Sequence, residues 1–237
     1  MKTVQLAFLI LLAINFSCKK KEVANPEIEH KNSITFNLPV VIEANKHTSF
    51  ARQAKEIQVG DYTPLYIGER SNSINLEQKP DLEKYNLYDP DWDYPRLTHS
   101  KIAIKIDTMS IISKTVDVWD NAKRKYITHL YNAYPVYLIN TSSDTLAIGA
   151  GQQIPIVMEV KNSEGMWLPI EDFYIHGCGT GLKHLILPPK EIALTSATVN
   201  KGRQKTKLRL NLMGIYSEEF SGSYSYEQTL KVQTRQF

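Results

Sequence analysis

The chain has 237 residues, 42% of them hydrophobic and 22% charged, with 28 Lys and Arg against 25 Asp and Glu. That is enough apolar matter for one large or two small packed domains; the near-balanced charge by itself says nothing about partners, and no nucleic-acid partner is expected. Cys18 and Cys178 are its only cysteines, which excludes a disulfide-stapled scaffold.

Residues 4–16 form an apolar run broken only by Gln5 and Asn15, preceded by Lys2 and followed by Ser17 and Cys18. At ~1.5 Å per residue such a helix spans about 20 Å, short of a hydrocarbon core of ~30 Å. A charged start, a short apolar run and a small residue at the cut are the layout of a secretory signal. In the rival layout, an uncleaved anchor, Lys19, Lys20 and Lys21 would stop transfer and favour the cytoplasmic side. That would hang the chain on a span that is too short, so cleavage before Cys18 is the reading adopted. The stretch "FSCKKKE" resembles the signal peptides of bacterial lipoproteins, in the looser form of the Bacteroidota. It departs from the strict lipobox at Asn15 and Phe16, where Leu and a small residue are usual. The resemblance implies that Cys18 carries a diacylglyceryl thioether and an N-acyl chain, which places the protein in the cell envelope, at the outer membrane. Each buried CH₂ contributes ~0.8 kcal/mol, so several acyl chains anchor stably where one would not.

The expected organisation is a signal peptide over 1–17, a lipid-anchored tether over 18–31, an N-terminal β-rich region over 32–112 and a C-terminal β-sandwich over 113–237. The tether is charged and lacks apolar periodicity. Beyond it Ile34, Phe36, Leu38, Val40 and Ile42 alternate with smaller or polar residues, which predicts a strand burying that face. Shorter strands are expected at Glu56–Val59 and Pro64–Gly68. Residues 71–98 are rich in proline, acids and aromatics without alternation, and read as a linker or a loop packed by its own aromatics. Asp89, Asp91 and Asp93 there imitate the opening of a calcium loop. Tyr94 stands where the turn needs Gly and Ser100 where a bidentate Glu belongs, so a solvated acidic loop is expected.

Strands are predicted at Lys101–Asp107 and Lys114–Trp119, with "WDNAKRKY" as a hairpin turn. Further strands fall at Pro135–Asn140, Thr145–Ile148, Ile154–Val160, His184–Leu187, Glu191–Ser196, Thr206–Leu212 and Phe220–Tyr226. Short runs separated by turn signals, with no helical stripe, predict an all-β chain with an antiparallel, immunoglobulin-like sandwich. The stretch from "YPVYLIN" through "CGTGL" to "TKLRLNL" resembles uncharacterised lipoproteins of the same bacterial group, which implies location and fold but no activity.

For chemistry, His176, Cys178 and His184 in "HGCGTGLKH" offer metal-type donors, but H-x-C-x5-H lacks a further ligand at defined spacing. Gly177, Gly179 and Gly181 suit a chain reversal, with Cys178 a small buried filler. Neither a phosphate loop nor G-x-S-x-G is present. The acid pairs Glu171–Asp172 and Glu218–Glu219 would point to opposite strand faces. No catalytic residue, metal or cofactor is therefore assigned. In "RQKTKLRLNL", Arg203, Lys205, Lys207 and Arg209 occupy every second position, ~6.8 Å apart along a strand. They form a candidate contact for an anionic lipid headgroup, glycan or protein surface. The plainer reading is a solvated face whose lysines discourage edge pairing. Phe220, Gly222, Tyr224 and Tyr226 share a face that could stack on sugars, though a core role is favoured. The functional expectation is an envelope protein held to membrane lipid through Cys18, acting as a binding or structural module. The alternatives are a glycan-binding accessory lipoprotein, using the Tyr-rich surface and the 81–96 loop, and an enzyme whose site is scattered in sequence.

Overall fold

A computed structural model of the chain describes residues 37–44, 49–54, 57–78, 80–88, 96–172 and 183–230. Cys18, the tether, Asp89, Asp91, Asp93, His176 and Cys178 lie outside them. The strands are β1 (Val40–Ile42), β2 (Gln58–Val59), β3 (Tyr66–Glu69), β4 (Ser73–Asn75), β5 (Asn86–Leu87) and β6 (Ile102–Ile106). Next come β7 (Ile112–Asp120), β8 (Lys125–Asn140), β9 (Leu146–Ala150), β10 (Ile156–Lys161), β11 (Trp167–Pro169) and β12 (Glu171–Asp172). The last are β13 (His184–Leu187), β14 (Glu191–Thr198), β15 (Gln204–Leu212), β16 (Ile215–Tyr216) and β17 (Phe220–Tyr224). A 3₁₀ turn at Leu82–Tyr85 and a one-turn helix α1 (Glu227–Leu230) complete the described elements.

The first sheet runs β3–β14–β8, and β7 and β6 share the far side of β8. β7 pairs with residues 125–133 of the long β8 and β6 with residues 136–140. Asp107 makes this division, because its Oδ1 accepts from the amides of Met109 and Ser110 and turns the chain between the two strands. The second sheet runs β11–β10–β15, with β16 and β17 sharing the far side of β15. Met213 (φ 49°) and Gly214 (φ 90°) make the two-residue turn into β16, where both central residues take positive φ. β5, β13 and β9 form a third, smaller sheet.

Side-chain alternation turns these sheets into one core. Ile104, Val136, Leu138 and Ala193 of the first sheet join Ile156, Met158, Leu208 and Leu210 of the second in a single buried cluster. Leu146, Ile148, Leu185 and Leu187 of the small sheet extend it. The fold is all-β and sandwich-like, and it lies within one compact unit, Asn37–Phe237. The outer face of the first sheet is buried too, at Tyr137, Ile139, Ile192 and Leu194. Part of its cover is the segment before β1, since the Tyr137 hydroxyl donates to the Pro39 carbonyl at 2.7 Å.

β1 corrects one expectation. Val40 is 66% exposed and Ile42 is exposed as well, while Pro39 is buried and Val41 half-buried. Both faces of this short strand are apolar, so alternation marks two faces without saying which one docks. Of residues 71–98, the described segments 71–78 and 80–88 are built into the fold rather than forming a linker. They supply β4, which pairs in parallel with β1, and β5, which pairs with β13, and they bury Tyr85.

The link from β14 to β15 passes Gly202, where a Cβ would run into the backbone of Tyr224 and Ser225. Gly202→Ala is expected to cost about 2 kcal/mol in urea unfolding. A loss within ~0.5 kcal/mol, the range of an ordinary surface change, would show that β17 does not dock as described.

Candidate binding surface on the second sheet

The register of the second sheet sets its outer face. Glu159 stands opposite Arg209, Lys161 opposite Trp167, and Asn211 opposite Tyr216. Lys205 and Lys207 stand opposite Ser223 and Ser221. Because Met158, Leu208 and Leu210 point into the core, these neighbours point out.

Arg209 is the centre of this face. Its Nε donates to Glu159 Oε2 at 2.6 Å, and Asn211 Nδ2 donates to Glu159 Oε1 at 2.8 Å. The guanidinium lies 4.2 Å from the Trp167 ring centroid and 3.8 Å from that of Tyr216. A planar, weakly hydrated cation between two rings gains from both quadrupoles and holds the rings in place. Its charge is already met by Glu159, so Arg209 fixes the aromatic pair and does not act as an open cation.

The other three candidates differ. Lys205 and Lys207 are exposed on β15, and Arg203 is exposed immediately before it. Lys207 Nζ donates to Ser221 Oγ at 3.2 Å, and among the described residues none of the three has a carboxylate partner. The structure thus groups Arg203, Lys205 and Lys207 as a cationic strip running up to the Trp167–Arg209–Tyr216 stack. The tyrosine row divides as well. Tyr224 is buried and Phe220 packs against the core, whereas Tyr226 lies beyond β17 and is exposed. The aromatics on the outer face are Trp167 and Tyr216, which sequence reasoning missed. Nothing in local spacing joins them, since they meet only through β10 and β15.

Beneath this sheet, where β17 is its last strand, a cleft of about 740 Å³ opens between the two sheets. Tyr134, Met158, Leu208 and Phe220 give it apolar walls, with Phe220 and Tyr134 edge to face at 6.0 Å. Asn200 also lines it; this side chain is 8% exposed and its Oδ1 has no hydrogen-bond partner. A buried unpaired amide oxygen costs about 1–3 kcal/mol, which the fold tolerates here.

Farther in lies a network whose ionisable members come from four separate parts of the chain. The Tyr62 hydroxyl donates to Glu171 Oε2 at 2.5 Å, and that oxygen also accepts the Met158 amide at 3.1 Å. Lys114 donates to the carbonyls of Asp61 and Ser196 and lies 5.1 Å from the Tyr62 ring centroid. Arg52 donates to Thr198 Oγ1 at 2.8 Å and covers the Tyr131 ring. Burial pushes Lys114 down to about 8, against the pull of Asp61 and Glu171. Burial pulls Asp61 up, but Lys114 and the bonds from Thr63 and Gln153 outweigh it and hold its carboxyl below the ordinary value. Burial and the Glu171 charge push Tyr62 well up. Two cations and two carboxylates balance, and each carboxylate accepts hydrogen bonds, so the cluster ties crossing segments together.

Glu171 and Asp172 separate as strand neighbours should, with Glu171 buried and Asp172 half-exposed. Glu218 pairs with Lys105, and Glu219 with Lys161 at 3.7 Å. Among the described residues no group of three or more His, Cys, Asp or Glu is placed to hold a metal, and no helix is long and apolar enough to cross a membrane. Compared with protein-family models, with curated proteins and with solved structures, the chain matches none.

Proposed function

We propose that this chain is a lipid-anchored binding module of the cell envelope, held by Cys18, whose second sheet engages an anionic glycan. The observation that carries the binding half is the open cation strip of Lys205 and Lys207 beside the rigid Trp167–Arg209–Tyr216 stack. Sugar rings present C–H faces that pack on aromatic planes, and carboxylate or sulfate groups meet lysines at close range. Screening over ~8 Å at physiological salt limits the strip to contact distance, which suits a surface that reads a docked chain. The anchoring half rests on "FSCKKKE" and on the thioether chemistry that only a thiol at position 18 can supply.

Two experiments test the two halves. Cys18→Ser is expected to release the protein from membranes or stall it unprocessed, read by fractionating cells; equal size and equal membrane association for both forms would refute anchoring. Replacing Lys205 and Lys207 together by Gln is expected to leave stability within ~0.5 kcal/mol and weaken adhesion to an acidic polysaccharide about tenfold at low salt. Unchanged adhesion by a folded double variant would refute the cation strip.

A further inference from the structure

We infer that the edge of β17 and the cleft beside it form a docking groove for an extended acidic polypeptide segment that adds a strand to the second sheet. Three observations meet there. First, β17 pairs only with β15 among the described residues, and its sequence, Phe-Ser-Gly-Ser-Tyr, carries none of the charges or prolines that usually blunt an edge. Two other edges are guarded: β11 ends in Pro169, and the Ser113 amide of β7 is taken by the Glu43 carboxylate. Second, the cleft on the inner side of that edge offers Tyr134, Leu208 and Phe220 to apolar side chains. Asn200 also lines it, and its buried, unpaired Oδ1 is freed toward a donor when the soft amide torsion turns. Third, Lys207 leans across β17 onto Ser221, so cations stand over the outer side of the same edge.

A strand added here alternates its side chains between these two environments. Every second residue enters the apolar cleft, and the intervening ones lie beside Lys205 and Lys207, where acids fit. Charge separates this occupant from two others. The chain's own residues 231–237, "KVQTRQF", hold Lys231 and Arg235 and no acid. A second copy pairing edge to edge would bring like cations together and supply no carboxylate from β17. The groove goes beyond the glycan face, since it uses the backbone edge and the inner side of the sheet.

The test uses the folded protein with a short capped peptide alternating Glu and Val. Two controls are the same peptide with alternate backbone amides N-methylated, and a peptide alternating Lys and Val. Binding is read by titration and by hydrogen exchange. The groove predicts saturable binding, slowed exchange at residues 220–224, and affinities at least about tenfold lower for both controls, each having lost an interaction of roughly 1.4 kcal/mol. Equal binding of the N-methylated peptide would overturn strand addition, and equal binding of the Lys peptide would overturn the acidic occupant. A free protein that already protects residues 220–224 by self-association would overturn it in favour of a second copy. A wild-type protein that binds the peptide but does not adhere to the acidic polysaccharide would sink the glycan face and leave the groove standing.

Discussion

Glu171→Ala is expected to lower folding stability by about 2–4 kcal/mol, because a buried phenol and a buried amide both lose their acceptor. Glu171 is 3% exposed and accepts from Tyr62 and from the Met158 amide through one oxygen. Without it, Arg52 and Lys114 retain Asp61 as their only carboxylate in the cluster, and a phenol and an amide lose their acceptor. Glu171→Gln keeps the shape and one acceptor oxygen, so its loss should fall between wild type and Ala. Denaturant unfolding reads both variants. A loss under ~1 kcal/mol for Glu171→Ala would mean that water reaches the cluster and that it does not brace the fold.

The second large effect is a pH dependence carried by Lys114. Burial lowers its folded value to about 8, whereas an unfolded lysine keeps its proton to about 10.4. Below about 8 both states carry the proton, and the cost of burying the charge is fully present. Between about 8 and 10 the unfolded chain binds more protons, so stability rises with pH in that window. The total is about 3 kcal/mol from the separation of the two values. Tyr62 and Tyr137, both pushed up by burial, act in the opposite direction at higher pH, so the reading is the difference from Lys114→Met. The stability of wild type relative to Lys114→Met should rise by about 3 kcal/mol from pH 8 to 10. Parallel stability curves would show that Lys114 is solvated in the folded state.

Much of the sandwich was legible because alternation and turn residues agree locally. His184–Leu187 is the strand its apolar run predicted, and Thr206, Leu208, Leu210 and Leu212 point inward as the "RQKTKLRLNL" pattern required. Residues 127–132 of β8 show no legible period because this part of the β7–β8 hairpin is exposed or half-exposed on both faces. The face of β1 was reversed because its docking is decided by Tyr137, almost a hundred residues away.

The site was legible only in part, for the same reason. Cations at every second position of β15 could be read from sequence, but Arg209's fate could not. Glu159, Trp167 and Tyr216 reach it only after three strand pairings. The charged network gathers Arg52, the adjacent Asp61 and Tyr62, Lys114 and Glu171 from four well-separated places, and no spacing rule joins them. Asn200 gave no signal either, since an amide near a turn looks the same whether or not its oxygen finds a partner.

The binding face is tested most directly by salt titrations of adhesion to an acidic and a neutral polysaccharide, with wild type, Trp167→Ala, and the Lys205→Gln, Lys207→Gln pair. Wild type should hold the acidic polymer with an affinity that falls as salt rises, and the lysine pair should remove that salt-dependent part. Trp167→Ala should lower affinity at all salt concentrations, because ring stacking is not screened. Adhesion that ignores salt and survives both changes would contradict a glycan-binding second sheet.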